Sequence, residues 1–595
     1  MSRDLRAACL GLILVCAGVL WLRTRHIDYL LPHQIEPDRY AVAQVELLRS
    51  RATGNTEPAP YHFYFYPMLL ARVHLALSET TGPARVEPGE DALRAHLEAA
   101  NGAMLRSRTL VAWMSVLGVA GTFLIALRFT GPWTALLAAA LAGTSFLHLV
   151  FSGQARPHGM ATSWIVLAVA TALWMRRRPT PRTYVAGGIA GALAICALQN
   201  GSAALIALVA AWFLRDRARE RGRWTKILLL PVLIGGAALF FYPFFVERAE
   251  RGTTQSYSDV AIEEGVLKGG GHEIPLELFR GKGFTKLDDF LAWNDPLLLW
   301  GGLAGIALAL IAVARRRGRL EPGRWPDALV VLAHALPYFV MLGVFGKTRA
   351  RYLLPLIPYL AILSAYAFTR VTRPVVARAS GTAARAGITA VLAAAALAWP
   401  LRVDLKLVEL RGVPDTQELA ARWVVENVAP EEVVATGPGL ILPLFSAPEE
   451  LAQFYRGRQE DRWLEYQADH AEVIGDVERW RILDPFFTPQ GARTDVVDEL
   501  QTLAGARAWL QGLEADWLVM ETSQRLRSFF GSRGTKNLLK ALEEVGPPAL
   551  RIEPRPHGAG ELPRPRHYQD QERAVERALS AERLGPPLEI YGPLR

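Results

Sequence analysis

Eleven apolar runs, each separated from the next by a polar loop, fill residues 7–400 and constrain the fold more than any other feature of the chain. A helix of about 20 apolar residues crosses about 30 Å of hydrocarbon. Inside hydrocarbon, a helix is one of only two structures that satisfy their own backbone. The runs occupy 7–22, 109–127, 133–151, 160–175, 184–198, 203–214, 227–246, 296–314, 328–345, 352–368 and 388–400. The pair between 184 and 214 is short and broken at Gln199-Asn200-Gly201. The first run follows a basic start, but the bulky, charged Trp21-Leu22-Arg23 at its end makes a poor cleavage site, so it reads as a retained anchor.

The loops give an orientation. Arg176-Arg177-Arg178, the basic cluster 215–223, Arg315-Arg316-Arg317 with Arg319, and the stretch from Arg370 to Arg385 fall on one side of the membrane, together with Arg3 and Arg6. Short loops rich in Lys and Arg stay in the cytoplasm. Eleven alternating spans then place the N-terminus inside. The first loop (23–108, with interfacial helices near 41–50 and 61–77), the turn 152–159, the loop 247–295 and everything after 402 lie outside. The formal charge of +9 is concentrated in these loops, which argues against a nucleic-acid partner. Cys9, Cys16 and Cys196 all sit in apolar runs, so the polar regions hold no disulfide and no thiolate metal site.

From 403 to 595 no long apolar run occurs. Helices are expected at 415–426, 504–513 and 537–545, buried strands at 433–436 and 517–520, and an edge strand at 586–591, with the Pro-rich 547–565 irregular. The expected fold class is therefore a polytopic α-helical membrane protein with about eleven transmembrane helices in 1–402, followed by a soluble, extracytoplasmic α/β domain in 403–595.

Chemistry-bearing side chains crowd the outer face. Residues 32–40 read Pro32-His33-Gln34-Ile35-Glu36-Pro37-Asp38-Arg39-Tyr40, placing two carboxylates, a guanidinium and a phenol where a chain leaving the bilayer meets water. Pro37 bends the chain there. An acid before a helix is also an ordinary N-terminal cap, which is the structural alternative for Asp38. Arg156, His158, Arg349, Arg351 and Tyr352 lie at outer helix ends, against the usual charge bias. Snorkelling to headgroups is the alternative for the two later arginines, helix capping for His158. Gly269-Gly270-Gly271-His272-Glu273 is expected to form a mobile loop, and His334 a satisfied core histidine.

In order along the chain, Glu36-Pro37-Asp38-Arg39-Tyr40, Phe65-Tyr66-Pro67, the turn 151–157 with Arg156-Pro157, Arg351-Tyr352-Leu353-Leu354-Pro355, the helix opening at Asp415, and the closing Leu588-Glu589-Ile590-Tyr591 form one set. The set resembles the GT-C superfamily of lipid-carrier-dependent glycosyltransferases, in particular bacterial relatives of the protein O-mannosyltransferases and of the aminoarabinose transferases. The resemblance implies a polytopic transferase that takes a sugar from a polyprenyl-phosphate donor to a glycan, lipid or protein acceptor. It implies Asp38, or Glu36 in an alternative alignment, as general base. Arg39, Tyr40, Arg156, His158, Arg349, Arg351 and Tyr352 then bind substrate. Two positions depart from the pattern: Arg39 stands where the family often has Glu, and His158 where a second acid is common. The second departure weakens the case for a carboxylate-bound divalent metal, which the family otherwise leaves open. The rival readings are a transporter, which would carry ionisable groups near the membrane midplane, and a non-catalytic envelope scaffold.

Overall fold

A computed structural model describes residues 2–29, 31, 40–54, 67–77, 90–220, 223–244, 261–263, 266–269, 272–315, 324–447, 467, 479–488, 491–522, 524–554 and 574–594. Among the described residues, seven helical stretches are long and apolar enough to cross a membrane: Arg3–Thr24, Gly102–Phe129, His158–Arg177, Pro296–Arg315, Trp325–Val344, Ala350–Ala377 and Ala383–Asn427. An eighth is formed by Pro132–Gly143 and Phe146–Ser152, bent by 57° between them. The three remaining apolar runs form shorter helices, Pro181–Ala197, Ala204–Phe213 and Arg223–Phe241. The elements used below are α1 (Arg3–Thr24), α2 (Tyr40–Ala52), α3 (Leu69–Leu77), α4 (Glu90–Phe129), α5 (Pro132–Gly143), α6 (Phe146–Ser152), α7 (His158–Arg177), α8 (Pro181–Ala197), α9 (Ala204–Phe213) and α10 (Arg223–Phe241). They continue as α11 (Gly283–Asn294), α12 (Pro296–Arg315), α13 (Arg324–Val344), α14 (Ile357–Ala377) and α15 (Thr382–Arg411).

Membrane helices associate without a hydrophobic drive, so small residues set their approach. On α4 a Cβ at Gly118 would lie 2.7 Å from Ser163 Oγ of α7. Ser163 Oγ also takes the backbone N–H of Gly118 at 3.1 Å, so a polar contact closes the same seam. One apolar core joins α1, α4, α5, α6 and α11 to α15. In the first loop, α2 buries Val45 and Leu48 against Met68 and Ala71 at the start of α3.

The described residues between 261 and 275 form a three-stranded antiparallel sheet, β1 (Ala261–Glu263), β2 (Val266–Gly269) and β3 (His272–Pro275), in which Gly269 pairs with His272. Gly270 and Gly271, the rest of the expected glycine loop, lie outside the described residues. The later part of the chain builds a five-stranded sheet from β4 (Val433–Thr436), β5 (Arg481–Leu483), β6 (Trp517–Glu521), β7 (Leu550–Ile552) and β8 (Leu588–Tyr591), in the spatial order β5-β4-β6-β8-β7. β4 runs parallel to β5 and β6, and β8 runs antiparallel to β6 and β7. The closing strand is thus interior, not at an edge. The edge beside it is Leu550–Ile552, drawn from within the Pro-rich stretch expected to be irregular, because its Ile552 side chain fills the same core as Leu588 and Ile590. The short helix Ala574–Ser580 buries Ala574, Val575 and Ala578 in the membrane-domain core beside Leu287 and Phe290 of α11 and Val403 and Leu407 of α15. The α/β part is thereby seated on the end of the bundle.

Candidate active site at the Asp295 end of the bundle

The site is built around the seven residues of α6. Thr144 and Ser145 interrupt the third apolar run. Thr144 Oγ1 turns back to the Ala140 carbonyl at 2.9 Å, and Ser145 Oγ caps the next helix by accepting from His148 N at 3.2 Å. Asp295, between α11 and α12, completes that cap from outside. Its carboxylate accepts from Phe146 N at 2.9 Å, Leu147 N at 3.3 Å and Ser145 Oγ at 2.9 Å. An anion at a helix N-terminus takes up donors that have no partner within the helix. Burial nevertheless pushes the Asp295 carboxyl up to about 6, against the downward pull of those three hydrogen bonds.

α6 delivers the turn 153–157, which opens α7 at His158. Two later residues, Arg351 and Tyr352, meet it from another part of the bundle. His158 packs edge-on to Tyr352, ring centroids 6.4 Å apart, and edge-on to Phe151 at 6.1 Å. Arg351 and Arg156 are its electrostatic neighbours. The Arg351 guanidinium lies 5.0 Å from the centroid of the Tyr352 ring, with Nη2 3.4 Å from the phenol oxygen. Arg156 is buried and Arg351 half-buried. Tyr352 sits in a 3-10 stretch, Ala350–Leu356, whose placement is fixed from behind: Tyr338 Oη donates to the Tyr352 carbonyl at 2.9 Å, and Asn200 Nδ2 donates to Tyr338 Oη at 3.1 Å. The break at Gln199-Asn200-Gly201 therefore supports the site. His334 behaves as a core histidine, with Nδ1 2.8 Å from Tyr359 Oη.

Of the residues expected to bind substrate, Arg156, His158, Arg351 and Tyr352 are brought together. Arg349 is exposed and stands at the N-cap position of the 3-10 stretch without a side-chain capping bond. Tyr40 opens α2, but its side chain lies outside the described residues, as do Glu36, Asp38, Arg39, Phe65 and Tyr66. The cluster at His158 carries two guanidiniums and a phenol, a donor set that suits an anion and repels a cation. Among the described residues no three His, Cys, Asp or Glu side chains are grouped as a metal site.

A second polar layer behind this cluster is absent from the sequence reading. Arg23 in the last turn of α1 is fully buried, with Nη1 donating to Ser115 Oγ at 2.6 Å and Nη2 2.5 Å from His148 Nδ1. Asp404 on α15 is also fully buried, within the electrostatic reach of Arg23, Arg411 and Asp295, and its carboxylate oxygens accept no hydrogen bond among the described residues. Arg108 of α4 holds the chain just beyond α1, donating to the carbonyls of Ile27 at 2.6 Å and Tyr29 at 2.9 Å. Arg108 and Arg411 cover the Tyr29 ring from 4.5 and 4.8 Å. Arg411 also closes on the turn: a Cβ at Gly153 would lie 3.0 Å from its Nη1, so only glycine admits this approach without displacing the guanidinium. Arg23, Asp404 and Arg411 sit within about two turns of a helix end, where hydropathy averaged over a span hides them, and Arg108 immediately precedes the second apolar run. Their pairing across α1, α4, α6 and α15 leaves no pattern in the linear sequence.

No protein-family model matches the chain, and no curated protein matches it in sequence. Solved structures do resemble it. The archaeal oligosaccharyltransferase AglB from Archaeoglobus fulgidus, in complex with an inhibitory peptide and a dolichol-phosphate, is 14% identical, covers 90% of this chain and 72% of its own, and has a TM-score of 0.45. ArnT from Cupriavidus metallidurans in the apo state is 15% identical over 88% of this chain and 94% of its own, with a TM-score of 0.46. Arabinofuranosyltransferase AftD from Mycobacteria is 16% identical and aligns over the full length of this chain but 40% of its own, with a TM-score of 0.38. These neighbours are GT-C glycosyltransferases.

Proposed function

We propose that this chain is an integral-membrane glycosyltransferase that moves a hexosyl or pentosyl group from a polyprenyl-phosphate donor to an acceptor on the outer face of the cytoplasmic membrane. The observation that carries the reading is the convergence of Arg156, His158, Arg351 and Tyr352 at one end of an apolar bundle. Such a site suits a ligand with an anionic head and a hydrocarbon tail: the tail stays in lipid while planar guanidiniums grip the phosphate in bidentate fashion. The sequence resemblance to lipid-carrier-dependent transferases points the same way.

In the proposed reaction an acceptor hydroxyl oxygen attacks the anomeric carbon. The bond from that carbon to the phosphate oxygen breaks, and the electron pair leaves with the polyprenyl phosphate. Arg351 and Arg156 stabilise the charge that develops on the phosphate, with Tyr352 Oη as a neutral donor. The acceptor proton passes to a carboxylate in the first loop, Asp38 by preference and Glu36 in the alternative alignment. Arg39, Tyr40 and Arg349 complete the sugar and phosphate contacts, and His158 orients Tyr352 through its edge-on contact. No step is routed through a metal. The N-terminus is cytoplasmic in this reading, and residues 403–595 form an extracytoplasmic domain that presents the acceptor.

Purified protein incubated with a panel of radiolabelled polyprenyl-phosphate sugars and envelope extract tests the proposal. It predicts labelled product and released polyprenyl phosphate with at least one donor. Intact donor throughout the panel, with the protein folded, would reject it in favour of a transporter or scaffold.

A further inference from the structure

At the opposite end of the bundle, about 30 Å away along a 20-residue helix, three arginines share one buried carboxylate. Asp327, in the first turn of α13, has a side chain that is 0% exposed and is gripped by Arg128 from the end of α4 and by Arg176 from the end of α7. Arg177 Nε stands 3.5 Å from the same carboxylate. The outermost guanidiniums still reach solvent or lipid: the Arg177 side chain is 47% exposed and that of Arg128 19%. Arg128 Nε has no hydrogen-bond partner among the described residues.

The apolar surface leading to these side chains is organised in the same direction. On α4 the exposed Leu117 and Leu124 precede Arg128 at spacings of seven and four, so all three share one helix face. On α7 the exposed Trp174 lies one turn before Arg177, whereas on α13 the exposed Trp325, Leu329, Leu332 and Leu336 form a stripe on the face opposite to buried Asp327. The apolar surfaces of α4 and α7 thus end at the arginine cluster, with the exposed Trp174 beside it, the residue type that favours the headgroup level. The four charged side chains sum to a formal +2, three guanidiniums less one carboxylate. Two helix C-termini contribute roughly −0.5 each and the α13 N-terminus roughly +0.5. The local surplus is then about one to two positive charges, the complement of a single phosphodiester.

We propose that this end of the bundle is a binding site for an anionic phospholipid, its phosphate on Arg128 and Arg177 and its acyl chains along the exposed apolar surfaces of α4 and α7. The site is independent of the glycosyltransferase reading. Neighbouring bundles of zwitterionic lipid would cover the same apolar stripes but leave the guanidiniums with a headgroup of no net charge.

The full chain, delipidated in detergent, is titrated with dioleoyl-phosphatidylglycerol, with dioleoyl-phosphatidylcholine and with inorganic phosphate, following bound lipid by native mass spectrometry and melting temperature by intrinsic fluorescence. Phosphatidylglycerol should be retained and should raise the melting temperature more than phosphatidylcholine does. Arg177→Gln should weaken its binding by about 5-fold or more, the effect of one basic side chain on an anionic lipid, while the melting temperature in phosphatidylcholine stays put. Arg177 is the variant of choice because its guanidinium is the most distant of the three from Asp327, whereas Arg128 and Arg176 grip the buried carboxylate directly. Equal retention of the two lipids, or undiminished phosphatidylglycerol binding in Arg177→Gln, would overturn the proposal. So would inorganic phosphate reproducing the whole thermal shift, since that would mark a free-anion site.

Discussion

Replacing Arg351 with Ala separates a ligand-binding arginine from a structural one. Within the protein the guanidinium has two weak anchors, the Tyr352 ring at 5.0 Å and a long 3.4 Å approach to its hydroxyl. A cation–π contact of this kind is worth about 0.5–1 kcal/mol where it is partly exposed, and 3.4 Å is well beyond the usual hydrogen-bond distance. Folding stability should therefore fall by about 1 kcal/mol or less. A charge-assisted hydrogen bond to a phosphate is worth about 1.5–3 kcal/mol, which converts to a loss of about 10- to 150-fold in donor affinity. Arg351→Lys should recover part of that, because an ammonium keeps the charge but lacks the planar fork. The assay is binding of a polyprenyl-phosphate sugar to protein in nanodiscs, with the melting temperature measured on the same samples. Unchanged donor affinity would return Arg351 to snorkelling at the membrane surface. A collapse in melting temperature that accounts for the lost binding would make it a structural residue.

Asp295 gives a pH test. Its folded carboxyl is held near 6, above the ordinary value of about 4. The folded state therefore binds the proton more tightly than the unfolded one, so the stability it contributes is present in full below about pH 4 and lost as pH rises to about 6. Asp295→Asn should flatten the melting temperature across that window, and an unaltered pH slope would contradict the assignment. Arg23→Met removes the bonds to Ser115 and His148 and takes from Asp404 one of its two buried counter-charges, leaving Arg411. Breaking a buried pair costs about 3–5 kcal/mol, so this variant should melt far below the wild type in detergent, and a change under 1 kcal/mol would mean water already compensates Asp404. A reporter active only outside the cytoplasm, fused after Arg411, should be active, whereas activity of a cytoplasm-only reporter there would invert the proposed topology.

The membrane fold was legible because its cause is local: apolar runs of span length form helices whatever they pack against, and helix ends followed from prolines, glycines and arginines. The bend at Thr144-Ser145 was not, because its cap is supplied by Asp295, 150 residues later. The interior position of Leu588–Tyr591 was hidden for a similar reason. Its outer neighbour, Leu550–Ile552, is three residues long and lies among prolines, so no periodicity marks it. Arg156, His158, Arg351 and Tyr352 could be picked out because each sits at a helix entrance on the face opposite to the other basic loops, the first two flanking Pro157 and the last two shortly before Pro355. Arg23, Asp404 and Arg411 escaped notice because a single charge in the last turns of an apolar helix reads as an interfacial residue until its partners on other helices are known.

The central claim is that a carboxylate of the first loop acts as base at this site, and turnover of the Asp38→Asn protein tests it most directly. Asn keeps the size of the side chain and caps a helix about as well as Asp, but it cannot take the acceptor proton. With wild-type protein and the active labelled donor, release of polyprenyl phosphate should fall about 10²- to 10⁴-fold in Asp38→Asn, with the melting temperature unchanged and Glu36→Gln milder. The larger loss at Glu36 would shift the base by two residues and keep the mechanism. Near-wild-type release in both variants would contradict it.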